Sequence, residues 1–155
     1  MILLDTNILL RYARAADPAF VTVDVVINAL HDRGEILCIV PQNVYEFWAT
    51  ATRPIASNGL GLPVSECQVQ VARVKRLFRF LPDLSTLFAE WETLVGAQAC
   101  YGRVSFDVRL VAAMRTYGIS RLLTFNGADF ARFPGLTILD PRSLAAPVTP
   151  PSGSP

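Results

Sequence analysis

Histidine is all but missing from this chain: His31 is the only one in 155 residues. Ser-His-Asp or Cys-His catalysis, RNA cleavage by paired histidines and a zinc site built from several imidazoles therefore have little material to work with. Lysine is as scarce, since Lys75 stands alone beside thirteen arginines. A guanidinium forks a phosphate better than an ammonium does, which favours an anionic partner, although GC-rich coding also enriches arginine. The three cysteines, Cys38, Cys67 and Cys100, are odd in number and widely spaced, so no disulfide framework or CxxC site is expected and a reducing cytoplasm fits. No segment approaches the roughly 18 to 20 uninterrupted apolar residues that cross a bilayer. The start MILLDTN also lacks the basic region of a signal peptide, so no membrane association is expected. A net charge of +1 says little about partners.

What is present is apolar. With 52% hydrophobic and 17% charged residues, the chain fits a single domain over residues 1–144 with a real core. The proline-rich stretch AAPVTPPSGSP, 145–155, carries no periodic apolar pattern and is expected to be a disordered tail.

Ile2 to Leu4 is a short apolar run closed by Asp5-Thr6-Asn7, the pattern of a buried parallel strand that enters a helix. Helical spacing over Val21 to Arg33 stops at Gly34, Ile36 to Val40 reads as a second strand, and Asn43 to Thr52 as a helix capped by Asn43. Arg53 to Pro63 has loop composition. From Ser65 to Phe80 apolar residues recur at three- and four-residue steps with Arg73, Arg76 and Arg79 on other faces, and Ser85 to Cys100 follows as a second helix. Ser105 to Tyr117 is a helix, Arg121 to Thr124 a strand, Asn126 to Phe133 a helical turn and Leu136 to Leu139 a last strand. This alternation predicts an α/β fold: a three-layer α/β/α sandwich with a mostly parallel central sheet and an inserted helical hairpin.

The acids fall where strands hand over to helices. Asp5 ends the first strand, Glu46 lies early in a helix, Asp107 begins another and Asp129 follows the strand at Arg121. In an open parallel sheet, functional groups collect beyond the carboxyl ends of the strands. Carboxylates gathered there repel unless a cation neutralises them, and an all-oxygen set suits Mg²⁺ or Mn²⁺. Such an ion can activate a water molecule and stabilise the charge that develops in phosphodiester cleavage. Each acid also has an ordinary structural role open to it. Asp5 can cap the next helix, Asn43-x-x-Glu46 has the shape of a capping box, and Asp107 and Asp129 are favourable charges at helix starts.

Three stretches resemble the PIN-domain ribonucleases, in particular the VapC-type toxins of type II toxin–antitoxin systems: MILLDTNILLRY, PQNVYEFWATATRP and DVRLVAAMRTYGISRLLTFNGADFARFPGLTILDP. The likeness runs in order from Met1 to Pro141. It implies a PIN-like fold, a metal-dependent endoribonuclease, and Asp5, Glu46 and Asp107 as catalytic acids holding Mg²⁺ or Mn²⁺. At the fourth position many relatives have Asp where this chain has Asn126. Asp129 is favoured as the fourth acid, with Thr6 and Asn126 as supporting polar groups. The resemblance further implies an RNA substrate, a cognate VapB-type antitoxin and a homodimer. Arg11, Arg14, Arg73, Arg76 and Arg79 are candidate RNA phosphate contacts, and Phe47, Trp48, Phe78, Phe80 and Trp91 candidates for a partner groove. A non-toxin RNA-processing nuclease and a PIN-like binding module without activity are the competing readings.

Overall fold

A computed structural model describes residues 1–145. Except for Ala145, the tail expected at 145–155 lies outside the described residues. Apolar Ile2–Leu4 forms β1, and Thr6–Tyr12 (α1) and Phe20–Asp32 (α2) follow it. Leu37–Ile39 is β2, Pro41–Thr52 α3 and Val64–Leu77 α4. Arg79–Phe80 (β3), Leu87–Ala97 (α5) and Val104–Thr116 (α6) come next. The chain then forms Arg121–Leu123 (β4), a 3-10 turn at Gly127–Phe130, Thr137–Leu139 (β5) and Pro141–Leu144 (α7). Gly34 and Gly118, at φ of 73° and 63°, take the left-handed conformation that stops α2 and α6.

The five strands form one parallel sheet in the order β3-β2-β1-β4-β5. Side chains alternate across it, so Ile2, Leu4, Leu37, Ile39 and Leu123 pack under α1 to α4. Leu3, Cys38 and Leu122 face the opposite way, under α5 and α6. This is the expected three-layer sandwich. Its layering follows from the handedness of parallel connections. The chain steps one way from β1 to β3 with helices on one face, then doubles back to β4 and β5 with helices on the other.

That reversal splits the helices expected as one inserted hairpin. Cys67 and Val74 of α4 belong to the first layer, whereas Leu87 and Leu94 of α5 pack in the second. The strand β3 that separates them was not expected from the sequence. It is two residues long, both exposed, and the apolar steps through Phe78 and Leu81 imitate a continuing helix. Arg79 therefore sits on an edge strand instead of the basic side of α4.

β1 is the centre of the sheet, and the chain leaves it towards β2 but returns to its other side at β4. Such a switch point opens a crevice beyond the strand ends, and Asp5 stands there.

Candidate active site

Asp5 follows β1 directly, and its backbone N–H donates to the Leu123 carbonyl of β4 at 2.9 Å. Although it occupies the cap position of α1, its side chain makes no capping hydrogen bond. Instead Oδ2 accepts from Asn7 Nδ2 at 2.7 Å and from Thr124 Oγ1 at 2.6 Å. The ordinary capping role is thus not the one this carboxylate fills. Burial raises the Asp5 carboxyl above its usual range more than the Thr124 hydroxyl lowers it.

The capping role fails for Glu46 too. Helix α3 begins at Pro41 with Val40 as its cap, so Asn43 lies one turn inside the helix. Asn43 Oδ1 accepts from the Val40 N–H at 2.9 Å, and its Nδ2 donates to the Leu4 carbonyl at 3.0 Å. This tethers α3 to the end of β1. Glu46 is left to face the cleft, where Oε2 accepts from Thr6 Oγ1 at 2.6 Å and Oε1 from Gln42 Nε2 at 2.7 Å.

Asp107 lies in the first turn of α6, and Asp129 in the 3-10 turn after β4. The Asp107 carboxyl is pushed up to about 6 by burial first, then by the negative charges of Asp129, Asp5 and Glu46, with Arg132 opposing. Next to it, Val108 is buried in the second core layer, while Phe106 is 57% exposed at the cleft rim.

All four acids, with Thr6, Asn7 and Asn126, line one cleft of about 500 Å³. Asp17, Glu35, Asp83, Glu90 and Asp140 each pair with an arginine, but Asp5, Glu46, Asp107 and Asp129 pair with none. With four acids and two arginines, Arg53 and Arg103, in its lining, the cleft carries an excess of negative charge. Its donors are carboxylate, amide and hydroxyl oxygens, which fit a hard divalent cation such as Mg²⁺ or Mn²⁺. Among the described residues no three acidic, histidine or cysteine side chains are gathered closely enough to hold one ion as they stand. Like charges on facing walls keep apart.

Solved structures share this architecture. VapC20 of Mycobacterium tuberculosis, a sarcin-ricin loop cleaving toxin, is 19% identical with a TM-score of 0.62, covering 86% of this chain and 95% of its own. The DNA-bound VapBC of Salmonella typhimurium matches at 17% identity and a TM-score of 0.67, over 90% of this chain and 97% of the other. FitAcB from Neisseria gonorrhoeae matches at 18% and 0.62, over 92% and 99%. This chain has the fold of the VapC toxins. No protein-family model matches it, and no curated protein matches its sequence.

The structure brings together Asp5, Glu46, Asp107, Asp129, Thr6 and Asn126, but not the candidate phosphate contacts. Arg11 stacks on the Phe125 ring at 4.6 Å, and Arg73 lies over Tyr12 at 5.1 Å. Arg76 and Arg79 are exposed on α4 and β3. The arginines that do line the cleft are Arg53 and Arg103. Helical spacing could have found both. Ala49, Thr50 and Arg53 continue the α3 face of Glu46 at steps of three, four and seven, and Arg103 precedes Asp107 by one turn. Of the candidate partner aromatics, Phe47 and Phe78 are core residues. Trp91 lines a separate apolar groove of about 420 Å³ with Phe88, Leu84 and Leu87.

Proposed function

We propose that this chain is a metal-dependent endoribonuclease of the PIN-domain kind, the toxin of a VapBC-type toxin–antitoxin pair, with residues 1–144 as its nuclease domain. One observation carries the reading: Asp5, Glu46, Asp107 and Asp129 line one cleft with no ion pair to any described residue, at the switch point of a fold shared with VapC toxins. The sarcin-ricin loop cleavage named for VapC20 supports RNA as the substrate, and the VapBC assembly of Salmonella typhimurium supports a VapB-type antitoxin as partner. A homodimer and a cytoplasmic site of action belong to the same proposal. No helix among the described residues is long and apolar enough to cross a membrane.

In this reading the four carboxylates hold Mg²⁺ or Mn²⁺. When bound, such an ion supplies a nucleophile at neutral pH and neutralises charge on the phosphoryl oxygens. The chain's own part is positioning. Asn7 and Thr124 fix Asp5 through Oδ2. Thr6 fixes Glu46 through Oε2. Arg53 and Arg103 hold the RNA backbone at the cleft, where the acids alone would repel it.

The test is cleavage of RNA by purified protein in Mg²⁺ or Mn²⁺, against EDTA and against Asp5→Asn and Asp107→Asn. Both variants and the chelated protein are expected to be inactive. Equal cleavage by wild type and variants sinks the acid-cluster mechanism and exposes a contaminating ribonuclease. The separation of the acids favours a second reading, a PIN-like binding module without activity. RNA binding with no cleavage in any metal would establish it.

A further inference from the structure

Gln42 is 6% exposed, and its amide makes three hydrogen bonds. It sits one turn before Glu46 on α3. Its Nε2 donates to Glu46 Oε1 at 2.7 Å and to the Phe106 carbonyl at 2.9 Å. Its Oε1 accepts from Arg109 Nη1 at 3.1 Å, and Arg109 Nη2 in turn donates to Asp83 at 2.6 Å.

The orientation of this amide has only one consistent solution. Turned over, the Gln42 oxygen would face the Glu46 carboxylate and the Phe106 carbonyl, two acceptors, while its NH₂ would face the guanidinium, a donor. Arg109, held by Asp83, therefore selects the orientation that puts an N–H on Glu46. The Phe106 carbonyl belongs to the peptide unit that leads into Asp107. One amide thus spans α3 and α6 and links the acid of each: Glu46 through its carboxylate and Asp107 through its backbone. A buried amide satisfied at all three of its contacts is stiff, because displacing it leaves several groups unpaired at once.

We infer that Gln42 is the positioning residue that sets the separation of Glu46 and Asp107 across the cleft, and that Arg109 and Asp83 act only by holding Gln42. This rests on the proposed reading of the acids as an ion site. Arg109 touches neither acid by a hydrogen bond, and its hydrogen-bonded route to the cleft runs through Gln42. Arg109 and Asp83 also line the apolar groove beside α5.

Mn²⁺ titrated calorimetrically into the full chain tests this. Gln42→Met keeps the length and removes every hydrogen bond. It is expected to weaken Mn²⁺ binding about ten-fold, in the range typical of groups that orient metal ligands. Arg109→Met is expected to weaken it by a similar factor, Arg109→Lys to restore most of the loss, and the double variant Gln42→Met/Arg109→Met to lose no more than Gln42→Met alone. Mn²⁺ affinity within two-fold of wild type in Gln42→Met overturns the inference, as does a double variant whose losses multiply. A fall in melting temperature of equal size in Arg109→Met and Arg109→Lys, with equal loss of Mn²⁺ affinity, reduces the relay to structural packing and also overturns it. Glu46→Gln separates the acid site from its positioning by Gln42. If it leaves Mn²⁺ affinity unchanged, the acid-site reading fails; if it weakens binding while Gln42→Met does not, only the positioning role fails.

Discussion

Thr124 Oγ1 donates a 2.6 Å hydrogen bond to Asp5 Oδ2, joining the carboxyl ends of the neighbouring strands β1 and β4. The same hydroxyl oxygen accepts from the Asn126 N–H at 2.9 Å and from Asn7 Nδ2 at 3.1 Å. Thr124 is fully buried, so its hydroxyl has no water to turn to instead. Thr124→Val keeps the shape and removes all three bonds. It is expected to destabilise the metal-free protein by about 1–3 kcal/mol, whereas Thr124→Ser should lose much less. Denaturant midpoints of the two variants measure this, and equal midpoints would remove Thr124 from the account.

Asp107 gives the cleft a pH signature. Its folded-state pKa of about 6 lies above the ordinary 3.8. Between those values the folded protein keeps a proton that the unfolded chain has released. The contribution of Asp107 to stability is therefore most favourable below 3.8 and becomes a penalty as pH rises through about 6. Asp107→Asn removes the titration. Without metal, the variant is expected to be the more stable protein above pH 6, by roughly 1 kcal/mol once exposure of the side chain is allowed for. The gap should close towards pH 4, and melting curves in EDTA across that range follow it. Divalent ions should reverse the order by stabilising only the wild type.

These effects depend on a geometry that was partly legible in the residues themselves. The strands β1, β2, β4 and β5 each carry the apolar signal of a buried strand, Asp5, Glu46 and Asp129 follow the first three of these, and Asp107 stands at the start of a helix with an equally plain signal. What stayed hidden had no local signal. β3 is two exposed residues whose pairing is supplied by β2, and α7 is a single turn behind Asp140. Asn43 reads as a cap because its residue type favours caps, yet tertiary contact with Leu4 places it inside the helix. The role of Gln42 depends on partners 64 and 67 residues away, which no spacing rule reaches.

Gly127 stands between Asn126 and Asp129, and a Cβ there would lie 2.8 Å from Ile138 Cγ2. Ile138 is β-branched and held in β5 against β4, so it has little freedom to withdraw. Gly127→Ala should therefore push the turn that carries Asp129 away from the cleft. A loss of about 1–3 kcal/mol in stability is expected, from overpacking. Mn²⁺ binding should weaken at the same time if Asp129 is the fourth acid. A destabilised variant with wild-type Mn²⁺ affinity would instead leave the site to Asp5, Glu46 and Asp107.

An acidic cleft has to accept a polyanion. Without a bound cation the four carboxylates oppose RNA, and among the described residues only two basic ones, Arg53 and Arg103, line the same space. Each phosphate that an arginine neutralises releases condensed counterions, so binding should weaken as salt rises. In an Asp5→Asn background, where cleavage is expected to stop, Arg53→Gln and Arg103→Gln should each lower RNA affinity and reduce the slope of log affinity against log salt by about 1. Arg73→Gln and Arg76→Gln should leave that slope unchanged, because neither residue lines the cleft and Arg73 rests on the Tyr12 ring. Fluorescence anisotropy with a labelled RNA over a salt series measures all four. If the α4 arginines carry the slope and the cleft arginines do not, RNA lies across the helical layer, and the acids cannot be where its backbone is cut.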